Sequence, residues 1–422
     1  MIRIITSLVA VFTVASVQSQ TSPKEAPKMF IGITIDQLRG DYLELFQNTF
    51  GEKGFKRLFN EGTVYQDVDF GFFNLDAASA ISTLYTGSTP FYHGIVGEKQ
   101  YSTKKKAQRS IYEDDNYLGN YTSEKVSPKV LRVSTIIDEL KMASQGSSEA
   151  YVFAQNPEQA LSAAGQTANC AYWVENVTGK WATSTFYKNS HWVVDQENRS
   201  SIYSNQVENL VWKPLMTISH YNAFPYTKGS TPFQHSFARG IETYPLLKQS
   251  PYYNENVRVT AEKLIEKAEL GKHIQPDFLS LTFYAGNYPK SVDKKYSLEL
   301  QDTYARLDQQ LGLFFDYIDK TIGLKNVAFV ITSTGYYETE NVVSSSLDQQ
   351  PINKFYSDRC EALLNMYLMA IYGKKQWVDK YADNQIYLNR KQSSRLCFEI
   401  YRSPRSCNIR SNHERNSKFL HE

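Results

Sequence analysis

The chain has 422 residues, long enough for one large domain with an insertion. Charged residues at 21% beside 41% apolar residues argue against wholesale disorder, and a net charge of +2 argues against a dedicated nucleic-acid binder.

The chain opens with Met1-Ile2-Arg3 and a mostly apolar run over 4–14. Val17 and Ser19 then stand at the spacing of a cleavage site after Ser19. This pattern predicts a signal peptide over residues 1–19 and a secreted, periplasmic protein. No later stretch reaches the roughly 20 apolar residues of a membrane span. Compact β-rich runs follow at 29–35, 150–154, 278–284 and 327–332, with helix-period stretches at 134–143 and 297–322. Apolar strands alternating with helices predict an α/β fold, a mostly parallel central sheet with helices on both faces. Chemistry in such sheets sits at the carboxyl ends of strands, where Asp36, Asn287 and Thr334 fall. Residues from about 175 to 275 are rich in Tyr, Trp, Asn, Pro and Ser with weak periodicity, which predicts an inserted cap of short strands and loops. The main domain is expected over 20–391 and an unpatterned, flexible tail over 392–422. Cys170, Cys360, Cys397 and Cys407 lack CxxC spacing, which disfavours a thiolate zinc site. A pairing of Cys397 with Cys407 stays open.

Several ordered motifs run through the chain. They are Gly32-Ile33-Thr34-Ile35-Asp36-Gln37-Leu38-Arg39-Gly40-Asp41-Tyr42, then Gly54-Phe55-Lys56-Arg57-Leu58 with Glu61-Gly62, then Tyr85-Thr86-Gly87-Ser88-Thr89-Pro90-Phe91-Tyr92-His93-Gly94. Ala171-Tyr172-Trp173 with Thr178-Gly179-Lys180, then Gln301-Asp302-Thr303-Tyr304, then Leu364-Asn365-Met366-Tyr367 complete the series. Together they resemble the alkaline phosphatase superfamily, above all the phosphate-irrepressible alkaline phosphatases of Bacteroidota and the related nucleotide pyrophosphatase/phosphodiesterases. The resemblance runs from about residue 28 to about residue 390.

The resemblance implies an alkaline phosphatase-like fold and hydrolysis of phosphate esters by two zinc ions and a nucleophilic Thr. Transferred onto this chain, the family's site is degenerate. The first metal-binding Asp falls on Asp36. The nucleophile, ten residues before Gly87, falls on Ala77, and a methyl group attacks nothing. Asp76 beside it is expected as a helix N-cap, and Ser79, Ser82 and Thr83 are expected to point elsewhere. An Asn that holds a phosphate oxygen becomes Glu98. A Lys and an Arg that grip the transition state become Asn156 and Glu158. An Asp and a His of the first zinc site become Asn287 and Ser291, and the Asp-His pair of the second becomes Thr334 and Gly335. The last zinc His lies beyond the resemblance, which is lost near Lys391. His413 and His421 stand in the unpatterned tail, and His93, His191, His220, His235 and His273 are scattered.

The reading is therefore a binding or interaction protein that has lost catalysis, with no cofactor expected and Asp36 as a vestigial metal ligand. Its partner is expected to be a protein or a cationic or neutral ligand, because the pocket has gained carboxylates. The rival reading is an active zinc-dependent phosphomonoester or phosphodiester hydrolase with a rebuilt site. A third is a decaying product with an out-of-frame C-terminus.

Overall fold

The computed structural model describes residues 26–392, apart from 74, 189, 201, 225–231, 292–296, 338–355 and 383. The expected signal peptide, the tail from 393, Cys397, Cys407, His413 and His421 lie outside the described residues.

Seven strands form the central sheet. They are β1 (Met29–Asp36), β2 (Gly119–Asn120), β3 (Ala150–Ala154), β4 (Cys170–Val174), β5 (Trp181–Ser184), β6 (Asp277–Tyr284) and β7 (Val327–Ser333). Their order is β7–β1–β6–β3–β4–β5–β2. The first five are parallel, β5 runs antiparallel to β4, and β2 at the far edge runs antiparallel to β5. β3, β4 and β6 are buried along their whole lengths, so they read as continuous apolar runs rather than alternating ones.

Helices cover both faces. α1 (Ala77–Thr86), α2 (Ile136–Ala143) and α3 (Pro157–Ala164) lie in the first half, and α1 packs on α3. α4 (Thr243–Lys248), α5 (Pro251–Lys267), α6 (Leu298–Thr321) and α7 (Ser357–Tyr372) follow, and α5 packs on α6. α1 sits so close to β1 that a Cβ on Gly32 would stand 2.7 Å from the Tyr85 hydroxyl, which bonds Ser280 at 2.6 Å.

The recurring motifs are largely packing devices. Asp308 of α6 accepts the backbone N–H groups of Gly51 and Phe55. Buried Asp302 accepts Trp212 Nε1, Tyr221 OH, Leu215 N and Arg306 Nε at 2.6–2.7 Å. That carboxylate ties the 212–221 segment to α6. A second small core of Val207, Trp212, Phe237, Leu247 and Tyr288 lies around it.

Region 175–275 is more regular than its sequence suggests. β5 joins the main sheet, and α5 is a 17-residue helix packed on β6 and β3. Its buried face holds Tyr253, Val257, Ala261, Leu264 and Ile265 but also Asn254 and Thr260, so the apolar stripe is thin. Cys170 and Cys360 are free thiols. Among the described residues no helix is long and apolar enough to cross a membrane.

Candidate functional site

A cleft of about 270 Å³ opens at the carboxyl ends of β1, β3 and β6. Asp36, the last residue of β1, forms part of its wall and is buried. Its Oδ1 accepts the Thr334 hydroxyl at 2.9 Å and the Gln37 N–H at 3.1 Å, and its Oδ2 accepts Gln159 Nε2 at 3.1 Å. Thr334 follows β7 directly and is fully buried, with its backbone N–H on Ile35 O. Gly335 has φ of +66°, and a Cβ there would meet the Phe70 ring at 2.7 Å. The turn after β7 is thus built around a glycine and excludes a larger side chain unless Phe70 moves.

Ala77 is the first residue of α1, and its methyl faces the cleft. Asp76 is the N-cap in a full capping box with Ser79, as the sequence predicts, and its Oδ2 accepts Glu98 N–H at 2.6 Å. The neighbouring hydroxyls are committed elsewhere. Ser79 Oγ donates to Asp76, Ser82 Oγ meets Tyr112 OH, and Thr83 Oγ1 donates to Ser79 O.

Glu98 lines the cleft. Burial, reinforced by Asp76, Glu158 and Asp36, pushes its carboxyl up to about 8. Its protonated form is favoured relative to an ordinary carboxyl, so the pocket carries less charge than its carboxylates suggest. Glu158 is also pushed up by burial, hydrogen-bonds with Ser110, and is not part of the cleft lining.

Asn156 does line the cleft, and its partner comes from a residue that the sequence reading did not single out. Lys248, the last residue of α4, donates from Nζ to Asn156 Oδ1 at 2.6 Å, Asn176 Oδ1 at 2.8 Å and Val174 O at 3.2 Å. Its carbonyl accepts Gln155 Nε2 at 2.6 Å. Burial, the largest influence, pushes the ammonium down to about 8 against the pull of Glu124, Glu158, Glu175 and Glu98. Where the family resemblance expects a Lys, an Asn therefore receives a Lys from a helix 92 residues away. No local sequence signal marks that pairing.

Asn287 and Ser291 are not part of the cleft lining. Asn287 Oδ1 and Ser291 Oγ are buried without a partner among the described residues. The histidines are engaged elsewhere. His93 accepts Ile95 N–H at Nδ1, so Nε2 donates to Thr83 Oγ1, and burial pushes the ring down to about 4. His235 pairs with Glu299 and His273 with Asp277.

Zinc takes about four thiolate, imidazole or carboxylate ligands. The donor set at the corresponding positions is one carboxylate already holding three hydrogen bonds, a threonine, a glycine, an amide and a serine. That set does not fit a zinc ion.

The model of the family "Type I phosphodiesterase / nucleotide pyrophosphatase" matches residues 30–407, past the point near Lys391 where the motif resemblance ends. The chain is 33% identical over 337 residues to alkaline phosphatase PhoV of Synechococcus elongatus, covering 76% of this chain and 61% of that one. It is 30% identical to a protein of Myroides odoratus named calcium-transporting ATPase, covering 92% and 73% of the two chains. It is 27% identical to alkaline phosphatase PafA of Elizabethkingia meningoseptica, covering 88% and 71%. The crystal structure of wild-type alkaline phosphatase PafA superposes with a TM-score of 0.73 at 23% identity, over 90% of this chain and 77% of that one. This likeness supports the fold alone. The chain thus spans about three fifths of PhoV's length.

Proposed function

The chain belongs to the type I phosphodiesterase / nucleotide pyrophosphatase family, and from that premise we propose that it is a non-catalytic member, an exported protein that binds a ligand in the cleft at the carboxyl ends of β1, β3 and β6. The observation that carries this reading is the state of Asp36. Its carboxylate is satisfied by Thr334, Gln159 and Gln37 rather than left open toward a metal. Ala77 beside it has no hydroxyl to activate. Three observations support the reading together: Ala77 where the resemblance expects a nucleophile, Asn287, Ser291, Thr334 and Gly335 where it expects metal ligands beside Asp36, and a Lys whose three N–H groups are already donated.

Zinc content and hydrolysis of p-nitrophenyl phosphate and its bis-ester by the purified protein test the reading. With added zinc, turnover should stay at the level of a heat-killed control. A chelator should leave the melting temperature unchanged, because no bound ion stabilises the fold by mass action. Chelator-sensitive turnover with near-stoichiometric zinc would establish the rival, a zinc-dependent phosphate-ester hydrolase, which the names of the relatives favour.

Export rests on the basic start, the apolar run and the small residues at Val17 and Ser19. Mass spectrometry of the protein from a periplasmic fraction should find it beginning at Gln20. An intact Met1 on cytoplasmic protein would sink this part. The segment from about 175 to 275 contributes Asn176, Pro245, Lys248 and Gln249 to the lining of the cleft.

A further inference from the structure

The polar groups of the cleft are unequally committed. Asp36 is occupied by three donors. Asp76 is spent on the α1 cap and on the Glu98 N–H. Gln155 and Gln159 bond each other, Lys248 and Asp36. Asn156 bonds Lys248 and Gln155, and every N–H of the Lys248 ammonium is donated to a neutral oxygen. Glu98 differs. Its backbone N–H goes to Asp76 and its carbonyl to Ile111 N–H, yet its carboxyl takes no hydrogen bond from any described residue. It lines the cleft with a carboxyl group that no described side chain engages.

We propose that the cleft binds a small ligand through a protonated amine held by the Glu98 carboxylate, an inference that rests on the non-catalytic binding reading above. A carboxylate is an acceptor only, and an ammonium brings three donors to it in a short, charge-assisted contact. A phosphate group fits poorly. It would meet Asp36, Asp76 and Glu98, and the one ammonium in the lining has no N–H left to give. The volume, about 270 Å³, lies just under the roughly 300 to 1,000 Å³ of sites for drug-sized ligands, so the ligand is about the size of a monosaccharide or a short diamine. On binding, the Glu98 O–H bond breaks, the proton passes to solvent, and an N–H···O⁻ ion pair replaces it. Burial and three neighbouring carboxylates hold that proton in the free protein, and the incoming cation offsets the same repulsion.

The test is isothermal titration calorimetry of the full chain with glucosamine, putrescine, glucose and inorganic phosphate, on wild type and on Glu98→Gln. A thermal melt first confirms that the variant is folded. Wild type should bind glucosamine or putrescine at one site, and Glu98→Gln should weaken it roughly tenfold or more. Glucose and phosphate should give no saturable heat. Binding of glucosamine alone identifies an amino sugar, binding of putrescine alone an aliphatic amine, and either outcome supports the proposal. Unchanged affinity in Glu98→Gln, glucose bound as well as glucosamine, or no amine binding at all would overturn the amine while leaving the non-catalytic reading intact. Phosphate bound more tightly than either amine, together with chelator-sensitive ester hydrolysis, would overturn the underlying reading as well.

Discussion

The cleft side and the β7–α7 side of the molecule use their side chains in opposite ways. Around the cleft the polar groups are bonded to one another across elements distant in the chain. On the other side an apolar pattern is present, but among the described residues little packs on it. α6 buries most of its 24 residues, whereas none of the 16 residues of α7 is buried. Leu363, Met366, Tyr367 and Ile371 form an exposed stripe at helical spacing, and Val330 of the edge strand β7 is 67% exposed. Among the described residues α7 packs mainly on β8 (Val378–Ala382), which pairs with β9 (Gln385–Leu388). Periodicity says which residues share a face, and only a neighbour turns that face into a core.

The largest expected effect sharpens this contrast. Leu311 of α6 is fully buried. Leu311→Ala should cost about 3 kcal/mol, within the ~2–5 kcal/mol of buried Leu truncations. Leu363→Ala on α7 should stay within about 0.5 kcal/mol, as surface substitutions do. Urea unfolding of both variants measures the pair. Equal costs would break the comparison by showing that α7 is covered in solution.

A middle-sized effect probes the cleft side. Thr334→Val is close in shape and leaves the buried Asp36 carboxylate one donor short. It should cost about 1–3 kcal/mol, the cost of stranding a buried polar group. Added zinc should not restore the loss. Rescue by zinc would mean that Asp36 accepts a metal once Thr334 withdraws, and the interlocked picture of the cleft would fail.

Much of this frame was legible in advance, for physical reasons that differ by element. The runs at 29–35, 150–154, 278–284 and 327–332 became β1, β3, β6 and β7 because buried parallel strands are continuous apolar segments. The stretch at 297–322 became α6, with Ser297 as its N-cap. Asp76 was readable as a cap because capping is local. Lys248 and Gln159 were not readable. Their roles depend on contacts with Asn156 and Asp36, 92 and 123 residues away, and no spacing rule reports such pairs. α5 was hidden because its buried face mixes Asn254 and Thr260 with aliphatic residues. The exposure of α7 was equally invisible, since its pattern is that of a core helix.

The smallest expected effect concerns pH and asks whether the cleft is as interlocked as its bonds suggest. Glu98 has an ordinary value near 4.5 and is pushed up to about 8 by burial first and by Asp76, Glu158 and Asp36 next. The folded state therefore keeps the Glu98 proton over a range where the unfolded state has lost it. For a group raised on folding, stability is fully present below the unfolded value and is lost as pH rises through the folded one. Wild type should lose stability from about pH 4.5 to 8 through this group. Glu98→Gln has no proton to lose and escapes that slope. A gap of this size would be worth roughly 5 kcal/mol unscreened. Glu98 is only half-buried and faces a cleft open to water, so about 1 kcal/mol is the expected difference. Lys248, pushed down to about 8, contributes the opposite slope above that pH, and both proteins share it. Urea midpoints at about pH 5, 7 and 9 should show the variant equal to wild type at the lowest pH and ahead of it at the highest. Parallel curves would mean that Glu98 ionises freely, and that the cleft is wetter and less tightly bonded than the β7–α7 contrast requires.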